Sequence, residues 1–215
     1  MKMTNNLCST SCSSYSELPE PGFYLCTIKA GETFLIEPDE VNHLLFLRSG
    51  RFVISSEERA NYQVSASNVI FCSRSYTYTI VAEEECQLLI ARFVTGNITT
   101  EGETYRTIAA EMAHVSYRFT AVDVNTVLGG LVDTISFYLE QGVNVRAMHQ
   151  AKLEEMFVIF RYFYPREVYL RLFYSLFNNN MSFRTLVVNN APNAKNVEHL
   201  AKMCGHSLSH FKLLF

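Results

Sequence analysis

Residues 43–54 read His43-Leu44-Leu45-Phe46-Leu47-Arg48-Ser49-Gly50-Arg51-Phe52-Val53-Ile54. Two short apolar runs, His43–Leu47 and Arg51–Ile54, flank a Ser-Gly pair. They are expected to be strands joined by a hairpin turn at Ser49-Gly50. The same grammar extends in both directions. Upstream, Phe23–Lys29 and Thr33–Ile36 are separated by the turn Ala30-Gly31-Glu32. Downstream, Glu57–Asn61 reads as a polar turn, and the runs Val69–Cys72, Thr77–Val81 and Gln87–Phe93 follow, with Glu83-Glu84-Glu85 as a solvated turn. Apolar runs of this length between turn signals predict a β-sandwich or barrel over residues 23–95. Residues 1–22 are rich in Ser, Thr and Asn and end in Leu18-Pro19-Glu20-Pro21-Gly22, which predicts a mobile arm.

After Gly96 the period changes from two to 3.6. Val124, Leu128, Leu131, Ile135 and Tyr138/Leu139 recur at helical spacing, and Gln141-Gly142 ends that helix. Gly129-Gly130 lies inside it. Each glycine costs about 1 kcal/mol against alanine there, and close helix packing is a reason for keeping it. A second helix is expected from about Ala147 to Tyr164, stopped by Pro165, and a third from Arg166 to Phe177, ended by Asn178-Asn179-Asn180. Leu153, Met156, Phe157, Phe160, Leu170, Phe173, Tyr174 and Phe177 load these two helices with more aromatic surface than a thin helical layer buries alone. Two explanations stand open: a core shared with the β domain, or a dimer interface. His114 and His149 are expected at the surface or at helix caps. The fold class is therefore α+β, with a helical linker and dimerisation region over 96–178 and a further segment over 179–215.

Nearly half of the residues are hydrophobic, which excludes disorder over most of the chain. The net charge of −3 does not announce a nucleic-acid partner. Charge is uneven, however. Residues 181–215 carry Arg184, Lys195, Lys202 and Lys212 against Glu198, a basic tail on an acidic body. The six cysteines, Cys8, Cys12, Cys26, Cys72, Cys86 and Cys204, form no CxxC pair and are expected as reduced, mostly buried thiols. No apolar stretch reaches the roughly 18 residues of a membrane helix, and the N-terminus lacks a signal peptide's apolar segment. A cytoplasmic protein with no membrane partner is expected.

The last twenty residues are Asn196-Val197-Glu198-His199-Leu200-Ala201-Lys202-Met203-Cys204-Gly205-His206-Ser207-Leu208-Ser209-His210-Phe211-Lys212-Leu213-Leu214-Phe215. Asn196 is placed to cap one helix, whose apolar face is Val197, Leu200, Ala201 and Cys204. Ala201 is small where two helices cross, and Gly205 suits a helix C-terminus. Ser207 then caps a second helix with Leu208, Phe211, Leu214 and Phe215 inward. This is a helix-turn-helix pattern. Its spacing resembles the first helix-turn-helix of the AraC/XylS family, and the β-then-helix order before it is similar to members from Bacteroides-like bacteria. The resemblance implies a support helix at Ser182–Asn190 and a DNA-binding domain over 179–215 that the sequence leaves incomplete, since the family continues with a linker helix and a second helix-turn-helix. It places Ser209, Lys212 and Leu213 at base-reading positions, beside Ser207 and His210. Leu213 departs from the Arg common there.

The β region resembles the cupin-like sensor of the same family. Against the cupin motifs, the usual metal positions fall on Glu37, Asp39, His43 and Tyr78. Two carboxylates, one imidazole and one phenol replace the imidazole-rich set that transition metals prefer, so no metal and no cofactor is expected. The function implied is a sequence-specific DNA-binding transcription regulator, not an enzyme. Its partners are DNA, an unidentified small-molecule effector and a second copy of itself as a homodimer. The alternatives are a metal-dependent cupin enzyme and a sensing and dimerisation module without DNA binding.

Overall fold

The computed structural model describes residues 21–94, 108, 111–112, 114–177, 187, 191, 194–203 and 207–213, all but the side chain of 210. Residues 1–20 of the expected arm, most of the support helix Ser182–Asn190, and Cys204, Gly205, Leu214 and Phe215 lie outside them. The chain divides into two compact units, residues 1–101 with 115–173, and residues 102–114 with 174–215.

Within the first unit, the strands are β1 (Gly22–Ile28), β2 (Thr33–Ile36), β3 (Asn42–Ser49), β4 (Arg51–Ser55), β5 (Tyr62–Ser65), β6 (Asn68–Cys72), β7 (Tyr78–Ala82), β8 (Cys86–Phe93) and β9 (Val122–Asp123). They pair antiparallel as a five-stranded sheet, β1-β8-β3-β6-β9, and a four-stranded sheet, β2-β7-β4-β5. The first eight strands thus fall into two sheets in the order β1-β8-β3-β6 and β2-β7-β4-β5, that of a jelly roll, the architecture that cupins share with other proteins. The two sheets enclose an interior of Cys26, Ile28, Phe34, Ile36, Leu45, Leu47, Phe52, Ile54, Val64, Ile70, Tyr78, Ile80, Leu88 and Ile90, among others.

Three expectations need correction. Ser49-Gly50 is not a hairpin turn: β3 and β4 belong to different sheets, and the chain crosses between them there. Gly50 has φ +89°, and a Cβ on it would collide with the carbonyl oxygen of Glu85, so the corner demands glycine for space as well as conformation. The hairpin partner of β4 is β5, which the polar signal around residues 57–61 concealed. Finally, β9 adds a strand after the point where only helices were expected. It pairs Val122 with Val69 and Asp123 with Asn68 at the edge of the larger sheet.

The larger sheet is buried on both faces. Leu45 and Leu47 point inward, so the pleat turns Leu44 and Phe46 outward, and these too are buried. This explains the uninterrupted apolar run Leu44–Leu47. The smaller sheet keeps one face in solvent and its strands alternate accordingly. Helices α1 (Thr126–Glu140), α2 (Arg146–Phe163) and α3 (Arg166–Leu172) follow. Asn125 caps α1 by accepting from the Leu128 amide at 2.9 Å. Tyr164, ahead of Pro165, leaves the helical region and ends α2. The expected third helix is interrupted by a turn at Phe173, and residues 174–177 are helical again. Phe173 packs against Phe71, Phe157 and Phe160 with ring centroids 5.2–5.8 Å apart, and Phe93 meets Phe157 at 5.0 Å. Phe157 and Phe160 of α2 are therefore used in a core shared with the outer face of the sheet, while Tyr162 and Phe163 stay exposed. Packing within the chain does not explain Gly130, around which nothing lies within 4 Å of a built Cβ.

His149 is another correction. It is buried, not at the surface. Its Nδ1 accepts the Phe23 amide at 3.0 Å, its Nε2 lies 2.5 Å from Asn144 Oδ1, and its ring stacks beside Phe23 and Tyr24. His114 is exposed. Cys72 and Cys86 are free and buried, but Cys26 is disulfide-bonded, against the expectation of reduced thiols.

In the second unit, α4 (Val197–Met203) and α5 (Leu208–Leu213) meet through Ala201 and Phe211, both fully buried, with Val187 and Leu200 packed around them.

Candidate functional site

One end of the jelly roll gathers polar groups that the rest of its interior lacks. Arg92, His43 and Cys72 stand side by side across three neighbouring strands, in register. By strand parity all three continue the inward rows Leu88–Ile90, Leu45–Leu47 and Ile70. Arg92 Nη2 donates to Asp39 Oδ2 at 2.7 Å; the arginine side chain is nearly buried and the aspartate half-exposed. Arg74 N–H donates to Asn42 Oδ1 at 3.1 Å and Asp39 N–H to the Arg74 carbonyl, which ties the β2–β3 loop to the β6–β7 loop. On the other sheet, Tyr78 accepts the Ser73 amide at 2.9 Å.

Burial and the nearby Arg92 guanidinium lower the pKa of His43 to about 3, with Asp39 pulling weakly the other way. Burial pushes the Cys72 thiol and the Tyr78 phenol upward, and Glu58 adds to both. Imidazole, thiol and phenol are thus all neutral near pH 7.

Of the four sequence-derived metal positions, Asp39, His43 and Tyr78 come to this end of the barrel, while Glu37 is exposed. The set does not fit a metal ion. Arg92 already neutralises Asp39, its charge disfavours a second cation beside His43, and a phenol held protonated is a poor ligand. Among the described residues no group of three or more His, Cys, Asp or Glu side chains is arranged to hold an ion.

A segment that sequence reasoning passed over closes the same end. Tyr117–Ala121 crosses it and inserts Phe119 into the interior. Nothing in its periodicity marks it. Arg92 was legible in principle, as the one charge at an inward position of the apolar strand Cys86–Phe93.

The second candidate is the α4–α5 pair. Asn196 Oδ1 accepts the His199 amide at 2.8 Å, the expected cap. Phe211 N–H bonds the Ser207 carbonyl at 2.8 Å at the start of α5. Ser207, Ser209, Lys212 and Leu213 are all exposed; the side chain of His210 lies outside the described residues.

No family model matches the sequence, and no curated protein matches it. Among solved structures it is similar to a protein described as a predicted oxalate decarboxylase from Thermotoga maritima, at 13% identity and TM-score 0.31, over 34% of this chain and 64% of that one. A cupin superfamily protein from Desulfitobacterium hafniense shares 15% identity at TM-score 0.31, over 34% and 65%. A cupin domain from Schizosaccharomyces pombe shares 15% at 0.31, over 35% and 58%. The match spans less than two thirds of each of these chains. The jelly-roll assignment rests on the strand order, not on these likenesses. Among the described residues no helix is long and apolar enough to cross a membrane.

Proposed function

We propose that the protein is a sequence-specific DNA-binding transcription regulator whose jelly-roll domain senses a small-molecule effector. The observation that carries the reading is the α4–α5 pair: a capped short helix, a contact of Ala201 on Phe211, and a second short helix whose outer side presents Ser209 and Lys212. In a helix-turn-helix that second helix lies in the major groove. Leu213 is 70% exposed and suits contact with a thymine methyl. The jelly roll supplies an end where a neutral imidazole, thiol and phenol stand beside the paired Arg92 and Asp39, which favours binding over acid–base or nucleophilic chemistry, so the reading assigns no catalysis.

A homodimer belongs to the same reading. Val127 and Phe137 on α1 and Val158, Tyr162 and Phe163 on α2 are exposed apolar side chains, and Gly130 lies between the first two. A second copy covering such surface buries more than about 1,000 Å². A cytoplasmic location follows from the DNA partner. Disulfides such as that of Cys26 are uncommon in that compartment.

The test is selection of bound duplexes from a random pool, followed by anisotropy titration at several salt concentrations. Lys212→Ala should weaken binding to the selected duplex by about 1–3 kcal/mol if it reads a base. An equal loss on random DNA makes it a phosphate contact. Absence of any sequence preference, with and without effector, defeats the regulator reading and leaves a sensing module.

A further inference from the structure

Among the described residues, Phe119 is the buried side chain of the barrel interior that no strand of the jelly roll provides. Its ring stacks on Tyr78 at 5.8 Å between centroids and 25° between planes, and meets Tyr62 edge-on at 6.1 Å. The segment around it is fastened to the β4–β5 hairpin by four bonds, one of them between the Tyr62 hydroxyl and Thr120 Oγ1 at 3.1 Å. Arg59 Nη1 donates to the Phe119 carbonyl at 2.9 Å, the Tyr117 hydroxyl donates to Glu58 Oε1 at 2.6 Å, and the Ala121 amide donates to the Tyr62 hydroxyl at 3.0 Å. Among the described residues, one ring and a few exchangeable polar bonds close this end of the barrel.

We propose that Phe119 is an internal stand-in for the effector, and that the space between Tyr62 and Tyr78 takes a single-ring aromatic compound when the segment lifts. The proposal rests on the sensor reading above and names the ligand class for it. Two aromatic walls, one offset-stacked and one edge-on, recognise a flat ring. Beyond them Ile36, Ile54 and Ile80 give an aliphatic wall, which suits a flat ring better than a sugar or an ion. At the rim, the Arg59 guanidinium lies 4.1 Å over the Tyr62 ring, and lifting the segment takes away its bond to the Phe119 carbonyl. A hydroxyl or carboxylate on the incoming ring would replace that acceptor.

The same displacement reaches the helices. Residues 117–121 run directly into β9, and Asn125, the cap of α1, follows two residues after β9. The Tyr164 hydroxyl, at the end of α2, donates to the Asp123 carbonyl at 2.9 Å and accepts the Asn125 amide at 3.1 Å, while Asn125 Nδ2 donates to the Phe163 carbonyl at 2.9 Å. Occupancy of the barrel is thus read where α1 begins and α2 ends.

Calorimetric titration of the full chain with p-cresol tests this, with cyclohexanol as the non-aromatic control. Phe119→Ala removes the internal competitor and should bind p-cresol about tenfold or more tightly than the wild type, with cyclohexanol weaker on both. In the wild type, millimolar p-cresol should speed hydrogen exchange at the Ala121 and Leu128 amides. Folded Phe119→Ala that binds p-cresol no better than the wild type overturns the proposal. If that variant does not fold, unchanged exchange at both amides in the wild type overturns it instead. Binding of p-cresol with no effect on DNA affinity supports the site and defeats the regulator reading. DNA binding that answers to another compound, with p-cresol inert on Phe119→Ala, does the reverse.

Discussion

Acid should destabilise this protein through His43, and the size of the effect follows from where the imidazole sits. Burial, then Arg92, lowers its pKa from 6.5 to about 3. The unfolded chain therefore takes up the proton more readily than the native one. The contribution of the neutral imidazole is complete above about pH 6.5 and drains as pH falls from there toward about 3. At about pH 5 the gap is about 1.5 pH units, and at about 1.4 kcal/mol per unit the loss is about 2 kcal/mol. Burial lowers the pKa of His149 as well, so it drains stability in the same direction; a substitution must separate the two. Urea unfolding of the wild type and of His43→Gln at about pH 7 and about pH 5 does so. Glutamine keeps a polar group beside Arg92 and cannot take up the proton. The wild type should lose about 2 kcal/mol more than the variant between the two pH values. Identical pH dependence in the two proteins would refute the assignment of a buried, neutral His43.

Gly130→Ala should stabilise the folded chain by up to about 1 kcal/mol in chemical unfolding, because nothing lies near its Cβ position; if α1 meets a second copy there, the same change should weaken self-association in ultracentrifugation. Asn196→Ala should cost about 1 kcal/mol in the stability of the second unit, by loss of the 2.8 Å bond to the His199 amide, and equal thermal melts of variant and wild type would speak against the cap. Alkylation followed by mass spectrometry should leave Cys26 unlabelled until reductant is added, whereas denaturant alone should expose Cys72 and Cys86. Tyr164→Phe should weaken the junction of α1 and α2 by removing both bonds of its hydroxyl, seen as faster exchange at the Asn125 amide.

Most strands could be read from the sequence because apolar runs and turn residues are local signals. The buried face of α1, Leu128, Leu131 and Ile135, and the cap at Asn196 were legible for the same reason. What stayed hidden depends on contacts distant in sequence. Gly50 looks like a hairpin glycine whether the chain folds back or crosses to another sheet; only the approach of Glu85 separates the two. The strand β5 is short and mostly polar, and β9 is two residues added to an existing edge. At the candidate site, Asp39, His43 and Tyr78 were picked out by alignment to a metal motif. Their actual company, Arg92 and Phe119, comes from strand β8 and from a segment with no period. His149 looked like a surface histidine because its partners, Phe23 and Tyr24, are more than a hundred residues away.

The double burial of the larger sheet has a consequence for how the chain tolerates change. Along β2, β4 and β7 a polar replacement should be accepted at every second position, as at Leu35 and Val81, whose side chains already face water. Along β3 from Leu44 to Leu47 no such rhythm exists, since each residue borders one of two cores and a void on either side is transmitted to the wall shared by both. A saturation scan should show period-two tolerance on one sheet and a continuous block on the other. The amides of β3, hydrogen-bonded to both β6 and β8, should be among the last in the chain to exchange with solvent.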